Sequence, residues 1–236
     1  MALQDGSGLV GGPVPTGVSA LRDRLRALPV LAGQFPGFDP ADLPDDPVDL
    51  FAQWLGQAIE AGVAEPHAMT LATVGDTGAP SARVVILKDV RDGGWEFATH
   101  ARTRKVRELA ENPRAAAGFY WQPQGRQVRL SGPVIDRGAL TSAADFISRS
   151  PGSRAAALAA RPGEPLGSTA ELEGALVEAL RRVERQPSLV LDEWSLLALI
   201  PLGAEFWQGA PDRAHIRVVY RRDDISGPWR HDLVWP

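Results

Sequence analysis

The stretch RVVILK runs from Arg83 to Lys88, and one hairpin later come Thr99, Thr103, Arg104 and Lys105. Thr103 is placed to open a helix, whose first turn offers unpaired N–H groups and the positive end of the peptide dipole. A hydroxyl followed by Arg104 and Lys105 at such a terminus makes a receptor for a phosphate dianion. Cations in a first turn oppose the dipole by a few tenths of a kcal/mol. An anion seated there removes that cost; without one, Arg104 and Lys105 are solvated surface cations. Spacing alone leaves both readings open.

Arg213, His215 and Arg217 alternate, so in a strand they would share one face while Ala214, Ile216 and Val218 turned to the core. Such groups repel one another unless an anion or an electron-rich ring neutralises them, the alternative being an exposed strand in water. Lys88, Arg149 and Ser153 form a looser set whose spacing is uninformative. Gln127 and Trp207 are ordinary in isolation, a tryptophan packing a core more often than stacking on a ligand. No Ser-His-Asp set, paired carboxylates, GxGxxG or phosphate loop accompanies them. Chemistry done here therefore has to come from a bound cofactor.

The 236 residues include no cysteine and four histidines, His67, His100, His215 and His231, with a formal net charge of -4. Disulfides, thiolate catalysis and sulfur-ligated zinc are excluded, and no two histidines have metal-ligand spacing. The net charge gives no general attraction for nucleic acid. The sequence has no apolar run long enough to span a membrane and no basic-apolar-small order at its start, so a cytoplasmic protein without membrane partners is expected.

These residues need a frame. Residues 1–17, rich in Gly and Pro, read as a mobile tail, and 18–236 as a single domain. Leu21, Leu25 and Leu28 suggest a short helix over 19–28. Asp46 and Pro47 open an amphipathic helix that ends at Gly62. The period then switches to two in AMTLATV, SARVVILKDV and GWEFATH, predicting three successive antiparallel strands. RKVRELAEN is a short helix closed by Pro113, and RAAAGFYW and GRQVRLSGPVID are strands joined across QPQG. Five strands and one helix predict a small Greek-key barrel over about 66–137. Helices follow at 141–149 and 168–185 within a segment of about 139–186, the second opened by Ser168 and Glu171 as a capping box. Strands near 194–200, 215–220 and 229–234 complete a C-terminal part of about 190–236. The class is mainly β with flanking helices.

Taken in order, EPHAMTLATV, SARVVILK, FATH with TRKVRELAENPRA, GRQVRLSG, FISRSPGS and EFWQGAPDRAHIRVVY resemble the pyridoxamine 5'-phosphate oxidases over about residues 47–236. The resemblance implies an FMN-binding split β-barrel, homodimeric, with FMN at the subunit interface. It implies that Arg83, Val84, Val85, Ile86 and Lys88 line the FMN and that Ala98, Thr99, Thr103, Arg104 and Lys105 grip it. Gln127, Trp207 and Arg217 would reach the flavin from the partner subunit. Lys88, Arg149 and Ser153 would hold a substrate phosphate, and Arg213 and His215 would cover the reacting ring as the catalytic pair. The implied reaction passes hydride from pyridoxine or pyridoxamine 5'-phosphate to FMN and on to oxygen, giving pyridoxal 5'-phosphate and hydrogen peroxide.

Three places depart from the family pattern. Asp145 stands where a tyrosine helps hold the substrate phosphate, Pro162-Gly163 where a Gln-Ser pair touches FMN, and Trp194-Ser195-Leu196-Leu197 where the family has a Trp-Gly-Gly-Phe-like segment. FATHA and GFYW are more similar to the branch that oxidises dihydrophenazines in secondary metabolism, which is the alternative function. A deazaflavin-dependent reductase and a non-catalytic flavin-binding protein are the readings from other classes.

Overall fold

Asp46 accepts a hydrogen bond from the Val48 N–H at 2.8 Å and so starts the helix that plugs the molecule's main core. In the computed structural model, which describes residues 18–236, this helix is the second; the mobile-tail reading of 1–17 lies outside the described residues. Two compact units divide after Ala32. The first contains α1 (Val18–Ala27), whose last turn carries Arg24 and Arg26 at the negative end of its dipole. All other elements lie in the second. There α2 (Pro47–Glu60) buries Leu50, Phe51, Trp54 and Ala58. Phe51 packs on Trp95, Phe119 and Trp121, and Trp54 meets Phe38 and Phe206 edge to face.

β1 (Ala68–Val74), β2 (Pro80–Arg91) and β3 (Gly94–His100) form the antiparallel meander that the two-residue period predicts. β4 (Arg114–Trp121) returns beside β1, giving the 4-1-2-3 order of a Greek key. β5 (Arg126–Asp136) pairs with β4, and β6 (Trp194–Leu199) bridges β3 to β5. A six-stranded barrel thereby closes, with no free edge among its strands. Met69, Leu71, Phe97, Phe119, Val128 and Leu130 fill it against α2. β7 (Gly203–Gln208), β8 (Ile216–Arg221) and β9 (Arg230–Val234) extend the sheet outward from β5.

β5 changes partner along its length. Its residues 126–131 pair with β7 and its residues 134–136 with β6, while its other edge pairs with β4. Gly132 lies at the changeover, where a Cβ would collide with the Ile200 carbonyl and sit 2.9 Å from both the Leu202 nitrogen and the Pro201 Cα. Only a residue without a side chain lets the 200–202 turn cross there.

α3 (Arg104–Glu111) follows β3, and α4 (Ala139–Ser148), α5 (Pro151–Ala159) and α6 (Thr169–Arg185) lie between β5 and β6 in the chain. α4 is tied to the outer side of β6, where the Ser142 hydroxyl accepts from the Leu196 N–H at 2.9 Å and Phe146 meets Trp194 at 5.8 Å. Ser168 caps α6 by accepting from the Glu171 N–H, but the Glu171 carboxylate accepts from Gly167 rather than closing the box on Ser168.

Three expectations change. α5 and β7 are additional elements, and the strand expected from His215 begins at Ile216, because the chain turns at Arg213 with φ of 69°. Among the described residues no helix is long and apolar enough to cross a membrane, and no cluster of acidic residues or histidines could hold a metal ion. Gly132→Ala should lower stability by about 3 kcal/mol, the cost of forcing atoms into a filled space. A urea midpoint unchanged from the parent would show that the 200–202 turn can move aside.

Candidate functional site

A cavity of about 610 Å³ opens where β2, β3, the first turn of α3 and the junction of α4 with α5 meet. β2 contributes Val84, Val85, Ile86 and Lys88, and β3 contributes Ala98 and Thr99. Lys105 enters from α3, and Arg149 and Ser153 from the helical junction. Nine residues singled out from sequence therefore share one space. Lys88 reaches it through a bulge: Leu87 pairs with Phe97 and Asp89 with Glu96, leaving Lys88 as the extra residue, re-aimed out of the ladder.

The electrostatics at α3 are those of a site short of negative charge. Lys105 donates to the Thr99 hydroxyl at 2.9 Å and makes no ion pair with any carboxylate among the described residues. Burial, then the nearby Arg83 charge, pushes its pKa below the usual lysine value. Thr103 stands at the N-cap with extended backbone but forms no side-chain cap bond; its hydroxyl lies 3.4 Å from that of Thr99. The Val106 N–H donates to the Thr103 carbonyl at 3.1 Å, and the N–H groups of Arg104 and Lys105 are left for another acceptor. A desolvated ammonium, two hydroxyls and an open helix terminus fit a phosphate group well.

Arg83 and Arg104 turn elsewhere. Both bind Glu108, a carboxylate only 6% exposed, with Arg104 Nε at 2.7 Å and Arg83 at 3.4 Å. The hydroxyls of Ser81 and Thr73 donate to the same carboxylate at 2.6 and 2.5 Å. Those hydroxyls first, then Arg104, hold its pKa down at about 2. Neither arginine lines the cavity; they form its neighbouring wall, locked by an acid that sequence reading did not single out. The available signal was the i,i+4 spacing of Arg104 and Glu108.

Gln127, Trp207 and Arg217 also lie outside the cavity, yet they form one row. Gln127 on β5 pairs with Trp207 on β7, which pairs with Arg217 on β8, so all three side chains leave the same face. Arg217 Nε is buried without a hydrogen-bond partner and stands 3.9 Å from Glu205. His215 packs on Trp207 at 5.0 Å, and its Nδ1 accepts from the Ala210 N–H at 3.0 Å, leaving Nε2 as the free position. Arg213 is exposed in the left-handed turn before β8 rather than on the strand. From β2 this row is three or more strands away along the sheet, about 14 Å or more at ~4.8 Å per strand. A second cavity of about 350 Å³ over β1 and β4 nevertheless has both Val84 and Gln127 in its lining.

At the helical junction Lys88 Nζ lies 3.2 Å from Asp145 Oδ1, and Trp194 Nε1 donates to Asp145 Oδ2 at 2.8 Å. The Arg149 guanidinium lies 4.1 Å over the Trp194 ring, and its Nη1 is buried without a hydrogen-bond partner. Burial lowers the Arg149 pKa while the Asp145 charge opposes the shift. The Ser153 hydroxyl accepts from Ser150, the N-cap of α5. Trp194, Ser150 and His100 complete the lining. Of these, His100 immediately follows Thr99 on β3; its Nδ1 accepts from the Arg102 N–H at 3.1 Å, and burial lowers its pKa, favouring the uncharged ring.

Comparison with known proteins gives family matches over most of the chain. The family described as "Pyridoxamine 5'-phosphate oxidase" matches residues 55–181, and "Pyridoxine 5'-phosphate oxidase C-terminal dimerisation region" matches residues 194–236. The pyridoxine/pyridoxamine 5'-phosphate oxidase of Thermosynechococcus vestitus is 44% identical over 198 residues, covering 83% of this chain and 92% of its own. That of Myxococcus xanthus is 40% identical over 194 residues, covering 82% and 93%. Among solved structures, PhzG from Burkholderia lata 383 in complex with tetrahydrophenazine-1-carboxylic acid superposes with a TM-score of 0.79 at 30% identity, covering 86% of this chain and 100% of that one.

Glu108→Gln should cost about 1–3 kcal/mol at pH 7, since two arginines and two hydroxyls lose a charged acceptor. The native pKa is depressed, so this stabilisation is complete above pH 4.5 and fades as pH falls towards about 2. Urea unfolding of parent and variant should therefore converge between pH 5 and pH 2; a constant gap would mean that the charge of Glu108 contributes nothing.

Proposed function

We propose that this chain, which belongs to the pyridoxamine 5'-phosphate oxidase family, is an FMN-dependent oxidase of pyridoxine and pyridoxamine 5'-phosphates acting as a homodimer. One observation carries the reading: a single cavity receives two separate cation sets, Lys105 at the start of α3 and Lys88 with Arg149 at the α4–α5 junction. A flavin phosphate and a substrate phosphate side by side require that arrangement.

Thr99, Lys105 and the open terminus of α3 would hold the cofactor phosphate, and Val84, Val85 and Ile86 would lie along the ring system. When bound, FMN supplies the hydride acceptor and the route to oxygen. The chain itself provides positioning and charge. Arg149 and Ser153 would seat the substrate phosphate, the unpartnered Arg149 Nη1 being the donor with most to gain. Gln127, Trp207 and Arg217 would come from the second subunit, a reading supported by the place of strands β7, β8 and β9 in the matched dimerisation region. His215, packed on Trp207 and held through Nδ1 by the Ala210 N–H, and Arg213 in the turn before β8 would cover the substrate ring and exclude water.

A second reading, oxidation of a reduced nitrogen heterocycle, is favoured by the ion pair of Lys88 with Asp145, which occupies a cation that a substrate phosphate would use.

FMN titration should show Lys105→Ala binding about 10–100-fold more weakly, the loss of one charge-assisted contact; unchanged affinity would remove Lys105 from the phosphate grip. Anaerobic addition of pyridoxine 5'-phosphate should bleach the FMN-loaded protein. If it stays yellow while a dihydrophenazine bleaches it, the second reading holds.

A further inference from the structure

We propose that Asp145 is a built-in counter-ion that sets the charge selectivity of the substrate end of the cavity, weakening its hold on doubly charged phosphate relative to a singly charged carboxylate. The inference rests on the reading of that end as the substrate subsite. Lys88, Arg149 and Asp145 together carry one positive charge, where the two cations alone would carry two.

Asp145 is not a surface acid that happens to lie near a lysine. Its side chain is only 10% exposed, and both oxygens are engaged, Oδ1 by Lys88 at 3.2 Å and Oδ2 by Trp194 Nε1 at 2.8 Å. Trp194 in turn lies under the Arg149 guanidinium at 4.1 Å. The carboxylate is thus fixed by the same ring that carries the second cation, and it cannot swing away cheaply when an anion arrives. Arg149 keeps a buried Nη1 without an acceptor, so an incoming anion still has a donor to satisfy. An anion drawn to that donor meets the field of Asp145, and the repulsion scales with the anion's charge. A phosphate dianion feels it twice as strongly as a carboxylate.

The opposing account makes Asp145 only a tether, holding α4 to β6 through Trp194. Asp145→Asn separates the two, because the amide oxygen can still accept from Trp194 while the charge is gone. The FMN-reconstituted protein, parent and variant at matched FMN loading, is titrated calorimetrically at pH 8 with inorganic phosphate and with benzoate. On this proposal phosphate tightens about tenfold in Asp145→Asn, and benzoate about threefold, half the effect on a logarithmic scale. Asp145→Ser, which also removes the charge, should move phosphate in the same direction. Phosphate binding that is unchanged or weaker in Asp145→Asn, or an equal gain for both anions, overturns the proposal. Turnover of pyridoxine 5'-phosphate by the same samples reports separately: a parent protein that does not oxidise it, but whose anion affinities shift as stated, sinks the assigned substrate and leaves the role of Asp145 standing.

Discussion

Strand β5 has three neighbours and only two edges, and the architecture follows from how that is resolved. One edge pairs with β4, while the other is shared in sequence by β7 and β6, with the 200–202 turn crossing at Gly132. The second half of β5 closes the barrel through β6. The first half carries β7 to β9 outward. One glycine thus lets a single strand build both the barrel that frames the cavity and the outer sheet that bears Gln127, Trp207 and Arg217.

The charges around the cavity are handled in two ways. Arg83 and Arg104 share the one carboxylate of Glu108, and Lys88 pairs with Asp145, so those cations are held in position by protein acids. Lys105 and the Nη1 group of Arg149 are left without acid partners, partly desolvated. Burying a cation without a partner destabilises the empty protein and rewards an anion that arrives later. The paired cations give shape and the unpaired ones give affinity.

The frame was largely legible because its signals are local. Asp46 and Pro47 mark α2, and period-two runs mark β1 to β5. β7 was harder, since its buried face is Ala204, Phe206 and Gln208, and a small and a polar residue flatten the alternation. α5 is hidden for a similar reason: PGSRAAALA has too few large apolar residues to show a helical stripe. Alternation misplaced Arg213, because RAHIRVV looks extended throughout while the backbone turns before Ile216. Of the cavity lining, Thr99 and Lys105 are marked by the start of α3, while the other residues came from family resemblance rather than periodicity. The pairings of Glu108 with Arg83 and of Asp145 with Trp194 link residues 25 and 49 positions apart, where sequence gives no local sign of contact.

The place of β7 to β9 in the matched dimerisation region has a genetic corollary. If each catalytic centre draws Lys105 from one chain and Arg217 from the other, a lesion at either position disables both centres of a uniform dimer. A mixed dimer, one chain altered at Lys105 and the other at Arg217, would gather both lesions in one centre and leave its twin intact. Two alleles that are each inactive alone would then complement one another in the same cell, with an upper limit of half the activity of the unaltered pair.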